Sequence, residues 1–192
     1  MPSTASPFGL KPIYHPSGRI PQEVATIATG YATNIFQYAP VKILAGTNGL
    51  ALAAAGERAV GVFLGVEYTD STGMHRVLNY WPASTAGTNI VAYFTRDPGI
   101  RYEIQMDGAM PSGKGLGVEM DWGTATEGST TTGLSSMSAA VASIAPQNNA
   151  GLRLVDYGRE VNNAIGDTYT NIVVEISEHQ DVADRIGYGS TT

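Results

Sequence analysis

From Ile100 to Met106 the residues alternate without a break. Ile100, Tyr102, Ile104 and Met106 are apolar; Arg101, Glu103 and Gln105 between them are polar. Only an extended strand places every second side chain on one face, so the stretch reads as a strand with one dry side and one wet side. Ile172, Val174 and Ile176 repeat the pattern later in the chain. Each dry face needs a second apolar layer to cover it. About nine short segments rich in β-branched and aromatic residues read as strands: 24–31, 41–44, 61–68, 77–81, 90–94, 100–106, 116–121, 152–156 and 171–177. Between them stand turn signals that offer Gly, Asn or Asp where positive φ is required: Thr47-Asn48-Gly49, Asp70-Ser71-Thr72-Gly73, Asp97-Pro98-Gly99 and Asp107-Gly108. The expected class is all-β, a single β-barrel or jelly-roll-like sandwich, with an extended Pro-rich N-terminal arm.

The arm is residues 1–22, which carry five prolines: Pro2, Pro7, Pro12, Pro16 and Pro21. Proline fixes φ and lacks an N–H, so this density opposes both helix and inner strand. Phe8, Leu10, Ile13 and Tyr14 sit among the prolines, and a purely solvated tail has no use for them. The segment is therefore expected to lie on a neighbouring subunit or partner, with those four side chains as its apolar grip and Lys11 and Arg19 as its charges; the alternative is a disordered end. Residues 23–192 form the β-domain. Its rhythm breaks at about 123–151, where Gly, Ser, Thr and Ala dominate. A long surface loop is expected there rather than a short helix over 137–144, because Ser and Thr compete with helical hydrogen bonds. One short helix is expected near 180–186.

Composition narrows the function. Charged residues make up 15% of the chain, against about 25% in ordinary soluble domains. Such a surface is thinly solvated or partly covered by partners. A net charge of −6 opposes a nucleic-acid grip, which needs a basic face to displace counterions. With no Cys there are no disulfides, zinc-thiolate sites or thiol nucleophiles. No apolar run approaches the ~20 residues of a membrane helix, and the N-terminal residues lack the basic start and apolar core of a secretory signal.

Motifs for chemistry fail one by one. Gly108–Lys114 matches a phosphate-binding loop up to the lysine, but Gly115 stands where Ser or Thr should hold magnesium, and a strand-like segment follows instead of a helix. His15, His75 and His179 have no partner at metal-ligand spacing and read as surface or interface residues. Asp97, Glu103 and Asp107 read as turn and outer-face residues. Trp81 and Trp122 are the only tryptophans; the stretch "NYWPAST" around Trp81 reads as core packing, with an aromatic binding platform for sugar or nucleobase as the alternative. No catalytic, cofactor-binding or metal-binding residue is assigned.

Four blocks carry a resemblance. They are "SPFGLKPIYHPSG" from Ser6, "GYATNIFQYAPVKI" from Gly30, "GVFLGVEYTDSTGMHRVLNYWPA" from Gly61, and "YGREVNNAIGDTYTNIVVEISEHQ" from Tyr157, the last with Asn163-Ala164 and Asp167 before a final strand. In this order they resemble capsid decoration, or cement, proteins of tailed marine and cyanobacterial phages. That resemblance implies a non-enzymatic virion protein on the capsid exterior, assembled in the host cytoplasm. It implies the major capsid protein as partner and a homo-oligomer, trimer or dimer, with no direct contact to nucleic acid or membrane. The competing readings are a tail, connector or fibre-base protein, and a carbohydrate-binding module or hydrolase.

Overall fold

The computed structural model describes residues 4–144, 150–159, 161, 163–164 and 166–182. Its strands in chain order are β1 (Lys11–Tyr14), β2 (Gln22–Ala25), β3 (Pro40–Leu44), β4 (Gly49–Leu52), β5 (Gly61–Asp70), β6 (His75–Leu78), β7 (Gly87–Thr95), β8 (Arg101–Gln105), β9 (Glu119–Met120), β10 (Leu152–Tyr157) and β11 (Asn171–Ile176). No α-helix occurs among the described residues; a single 3-10 turn spans Val141–Ser143. The protein is all-β, with two antiparallel sheets packed together as in a β-sandwich.

The alternating strands build the first sheet, in the order β1-β8-β11-β10-β9. Tyr102, Ile104, Ile172, Val174, Leu152 and Leu154 all turn to its inner side and are buried. The 123–151 segment was expected on the surface. Residues 126–132 do lie on the surface, but the residues on either side cover this core: Ala125, Met137 and Ala139 are buried, and Ala139 bridges both Met106 and Trp122. Its described part holds no α-helix, only the 3-10 turn, and its small and apolar residues have a face to bury. Trp122 lies fully inside, its indole N–H donating to the Ala53 carbonyl at 3.2 Å. Gly151 packs flat against that indole, where any Cβ would collide with the ring.

The second sheet runs β2-β7-β5-β3-β4, with β6 paired to β5. It curls on itself: Thr26, just past β2, bridges Gly49 at the start of β4, and the Leu50 N–H donates to the Thr26 carbonyl at 2.7 Å. The curl encloses a second core around Phe63, Val66, Trp81 and Phe94, with Trp81 edge-on to Tyr68 at 5.3 Å. β5 serves both cores, because Val62 points into the first and Phe63 into the second. Buried Thr95 ties the sheets together; its hydroxyl accepts the Val62 N–H at 3.0 Å and bonds the Tyr102 hydroxyl at 3.0 Å.

The N-terminal segment does not stand away from this body. Leu10 is fully buried in the first core, its N–H bonded to the Tyr38 carbonyl at 2.9 Å, and the Gly9 N–H donates to the Met137 carbonyl at 3.0 Å. β1 pairs with β8 through Lys11↔Glu103, Pro12↔Tyr102 and Tyr14↔Arg101. The prolines oppose an inner strand, but β1 is an edge strand, where a missing N–H on the outer side does no harm. The boundary expected after residue 22 falls inside β2. Of the helix expected near 180–186, Gln180–Val182 form a turn and bend, and 183–186 lie outside the described residues.

Candidate interaction surface

Two kinds of surface result. The outer face of the first sheet carries a row of alternating charges across β8, β11, β10 and β9, capped on β1 by a tyrosine. Tyr14 is opposite Arg101, whose guanidinium lies 5.3 Å from the centre of the Tyr14 ring. Arg101 reaches Glu175 at 3.3 Å; Arg153 is opposite Glu175 and reaches Glu119 at 3.2 Å. Charges so matched satisfy one another across the strands and keep the face wet.

The other surface is apolar and lies on edges. β2 ends the second sheet and exposes Val24 by 62%; β6, among the described residues, pairs only with β5 and exposes Val77 by 69%, with Met74 at 56% in the turn before it. β1 ends the first sheet and exposes Ile13 and Tyr14. Between β1 and the second sheet runs a groove of about 420 Å³ lined by Pro12, Ile20, Tyr38, Leu64 and Tyr93. Tyr38 holds positive φ (68°), a costly conformation for a bulky residue, while its N–H bonds the Phe63 carbonyl and its carbonyl accepts from Leu10.

The arm residues expected to bind a partner therefore divide. Lys11, Ile13, Tyr14 and Arg19 are exposed, Phe8 is half-buried, and Leu10 is core. Leu10 cannot grip a partner while it fills its own interior. Val24 and Val77 were hidden by their residue type, since valine in a strand is normally read as core. Their neighbours carried the signal: Gln22 and Glu23 precede one, His75 and Arg76 the other, and all four are exposed.

The other singled-out residues have local roles. Lys114 is exposed in a turn, its N–H bonded to the Pro111 carbonyl at 3.1 Å, and no helix N-terminus faces it. Asp97 accepts the Gly99 N–H at 2.7 Å and meets His15 at 3.2 Å, whereas Asp107 accepts the Val141 N–H at 2.8 Å, so the two carboxylates serve different turns. His75 lies 3.6 Å from Glu67 on the surface. His179, expected on a surface or interface, is instead buried, at 1% exposure. At the β5–β6 turn Asp70 accepts from the Thr72 hydroxyl at 2.6 Å, the Arg76 guanidinium at 2.8 Å and the Met74 N–H at 3.0 Å; these bonds hold its carboxyl well below the usual carboxylate range. Among the described residues no group of three or more His, Cys, Asp or Glu is placed to hold a metal.

Compared with family models, curated proteins and solved structures, the chain matches none of them.

Proposed function

We propose that this chain is a virion structural protein, a capsid decoration or cement protein that binds the outside of an assembled phage head across the seams between capsomers. The observation that carries the reading is the set of apolar side chains left open on three edge strands, Ile13 and Tyr14, Val24, and Val77. Exposed edges of this kind invite a partner. The resemblance of the four sequence blocks to cement proteins supplies the partner's identity, the major capsid protein. Their residues fall mainly on β1, on the run into β3, on β5–β6 and on β11, the parts that shape the scaffold.

The mechanism is mass action. A protein that binds the assembled lattice and not the free subunits stabilises the lattice, and many copies act in parallel on a closed shell. Homo-oligomerisation, as trimer or dimer, covers part of the exposed apolar edge. The test is a reconstruction of the intact particle together with the copy number per virion. Density for this chain over the head lattice, at lattice-wide stoichiometry, is the expected result. A few copies at the tail, connector or fibre base overturn it, as does turnover of a glycan substrate by the purified chain.

A further inference from the structure

After β11 the chain leaves the first sheet and crosses to the second as a strap over residues 177–182. The Ser177 N–H bonds the Gly151 carbonyl at 3.0 Å on the first-sheet side. On the other side the Ala59 N–H donates to the Glu178 carbonyl at 3.2 Å, and the Gln180 N–H donates to the Ala59 carbonyl at 2.9 Å. The Gln180 side chain clamps Ile43, accepting its N–H at 2.8 Å and donating to its carbonyl at 3.2 Å. His179 lies at the centre of the strap, buried. Its Nδ1 accepts the Asp181 N–H at 3.1 Å, so the ring is neutral and its proton sits on Nε2, on the side of the Val60 backbone.

We propose that His179 is an acid-released latch: a proton added at Nδ1 displaces the Asp181 N–H and frees the strap from the second sheet. A second proton has nowhere else to go. Once Nδ1 carries it, two N–H groups face each other at one position, and the cation is buried away from water. The Asp181 turn is then lost, and with it the geometry that sets Asp181 on Arg96 at 2.8 Å.

The charged groups around the ring are known. Asp181 belongs to the strap itself, and Asp97 and Arg96 to the connection between β7 and β8. Arg96 also reaches Glu23 of β2 at 3.0 Å, and Arg58 before β5 holds Glu178 at 3.2 Å. Burial is the dominant influence and pushes the imidazole below its ordinary value; Asp181, the Val60 backbone and Asp97 offset it in part, and Arg96 adds to it. With the folded value depressed, the strap is fully held above the unfolded imidazole value of about 6.5 and is loosened as pH falls from there toward the folded value.

The experiment is residue-resolved amide exchange on the full chain from pH 7.5 to 5, corrected for intrinsic rates. Protection of the Ala59 and Gln180 amides should fall by up to about tenfold per pH unit, the limit for one proton, while the Ile104 and Ile172 amides of the first sheet stay protected. His179→Asn keeps an acceptor for the Asp181 N–H, as an Asx turn, and does not titrate; in it the fall should vanish. Protection that ignores pH in the native chain overturns the proposal, and so does a pH dependence that survives His179→Asn. If that variant does not fold, the imidazole titration of the native protein decides. A ring that gains its proton while Ala59 and Gln180 remain protected sinks the latch; loss of protection that tracks the ring supports it.

Discussion

Replacing Leu10 by Ala asks whether the N-terminal segment belongs to the body or only visits it. Leu10 has no exposed surface and packs in the core with Tyr102, Met137 and Trp122. Truncating a buried leucine removes its transfer free energy and leaves a cavity, which costs about 2–5 kcal/mol depending on how far the surroundings collapse. The upper part of that range is expected, because Gly9 and Leu10 are pinned by the Met137 and Tyr38 carbonyls and cannot follow the cavity inward. For a chain of this size about 1 kcal/mol shifts Tm by roughly 2–4 °C, so Leu10→Ala should melt about 7–20 °C lower. Tyr14→Ala is the control on the same strand. Tyr14 is 48% exposed and loses mainly its stacking on Arg101, worth about 0.5–1 kcal/mol at an exposed site. The assay is urea denaturation followed by the fluorescence of buried Trp81 and Trp122, reading the midpoint at unchanged slope. If Leu10→Ala and Tyr14→Ala cost the same few tenths of a kcal/mol, the segment detaches freely and its assignment to the core is wrong. Deleting residues 1–22 should destabilise the domain for the same reason, contrary to what an independent arm would give.

Trp122→Phe leaves the buried Ala53 carbonyl without its donor and should cost about 1–3 kcal/mol by the same denaturation assay. Gly151→Ala drives a methyl into the Trp122 ring, and overpacking of this kind costs about 1–3 kcal/mol, read as a lowered urea midpoint. Asp70, with its folded pKa depressed, contributes stability that is complete above the unfolded carboxylate value of about 3.9 and lost as pH falls below it; Asp70→Asn should remove that part of the acid dependence, as seen in denaturation midpoints measured from pH 5 to 2. Arg96→Ala breaks the contacts to Glu23 and Asp181, all partly exposed, and should cost no more than about 1 kcal/mol, an effect that raised salt should diminish.

Strands with strict alternation were the most legible. β8 and β11 lie where Ile100, Tyr102, Ile104, Ile172 and Val174 place them, because one wet and one dry face leave a single register. β4 was missed: Gly49–Leu52 is short and made of small and apolar residues, so nothing in it alternates. β1 was missed because proline density argues against strands in general, and only knowledge of which edge is free removes the objection. The 123–151 segment was only partly legible: 126–132 is exposed, but hydroxyl-rich composition describes a backbone preference and not what Met137 and Ala139 cover. At the candidate surface, the turn positions of Asp97 and Asp107 and the exposure of Lys114 were legible in their local sequence. The exposure of Val24 and Val77 did not, since it depends on which strands end a sheet, and that is settled by residues distant in the chain.

The strand order of the first sheet also governs how the protein can be made. β11, the last described strand in sequence, lies between β8 and β10 in the middle of the sheet, not at a rim. On the ribosome β8 and β10 emerge before the strand that must join them, so their facing edges, with backbone N–H and C=O groups unpaired, wait open until β11 is synthesised. The second sheet has no such delay, as all its strands precede β8. The nascent chain therefore carries a closed half and an open half, and the open half is where premature association between neighbouring nascent chains would begin.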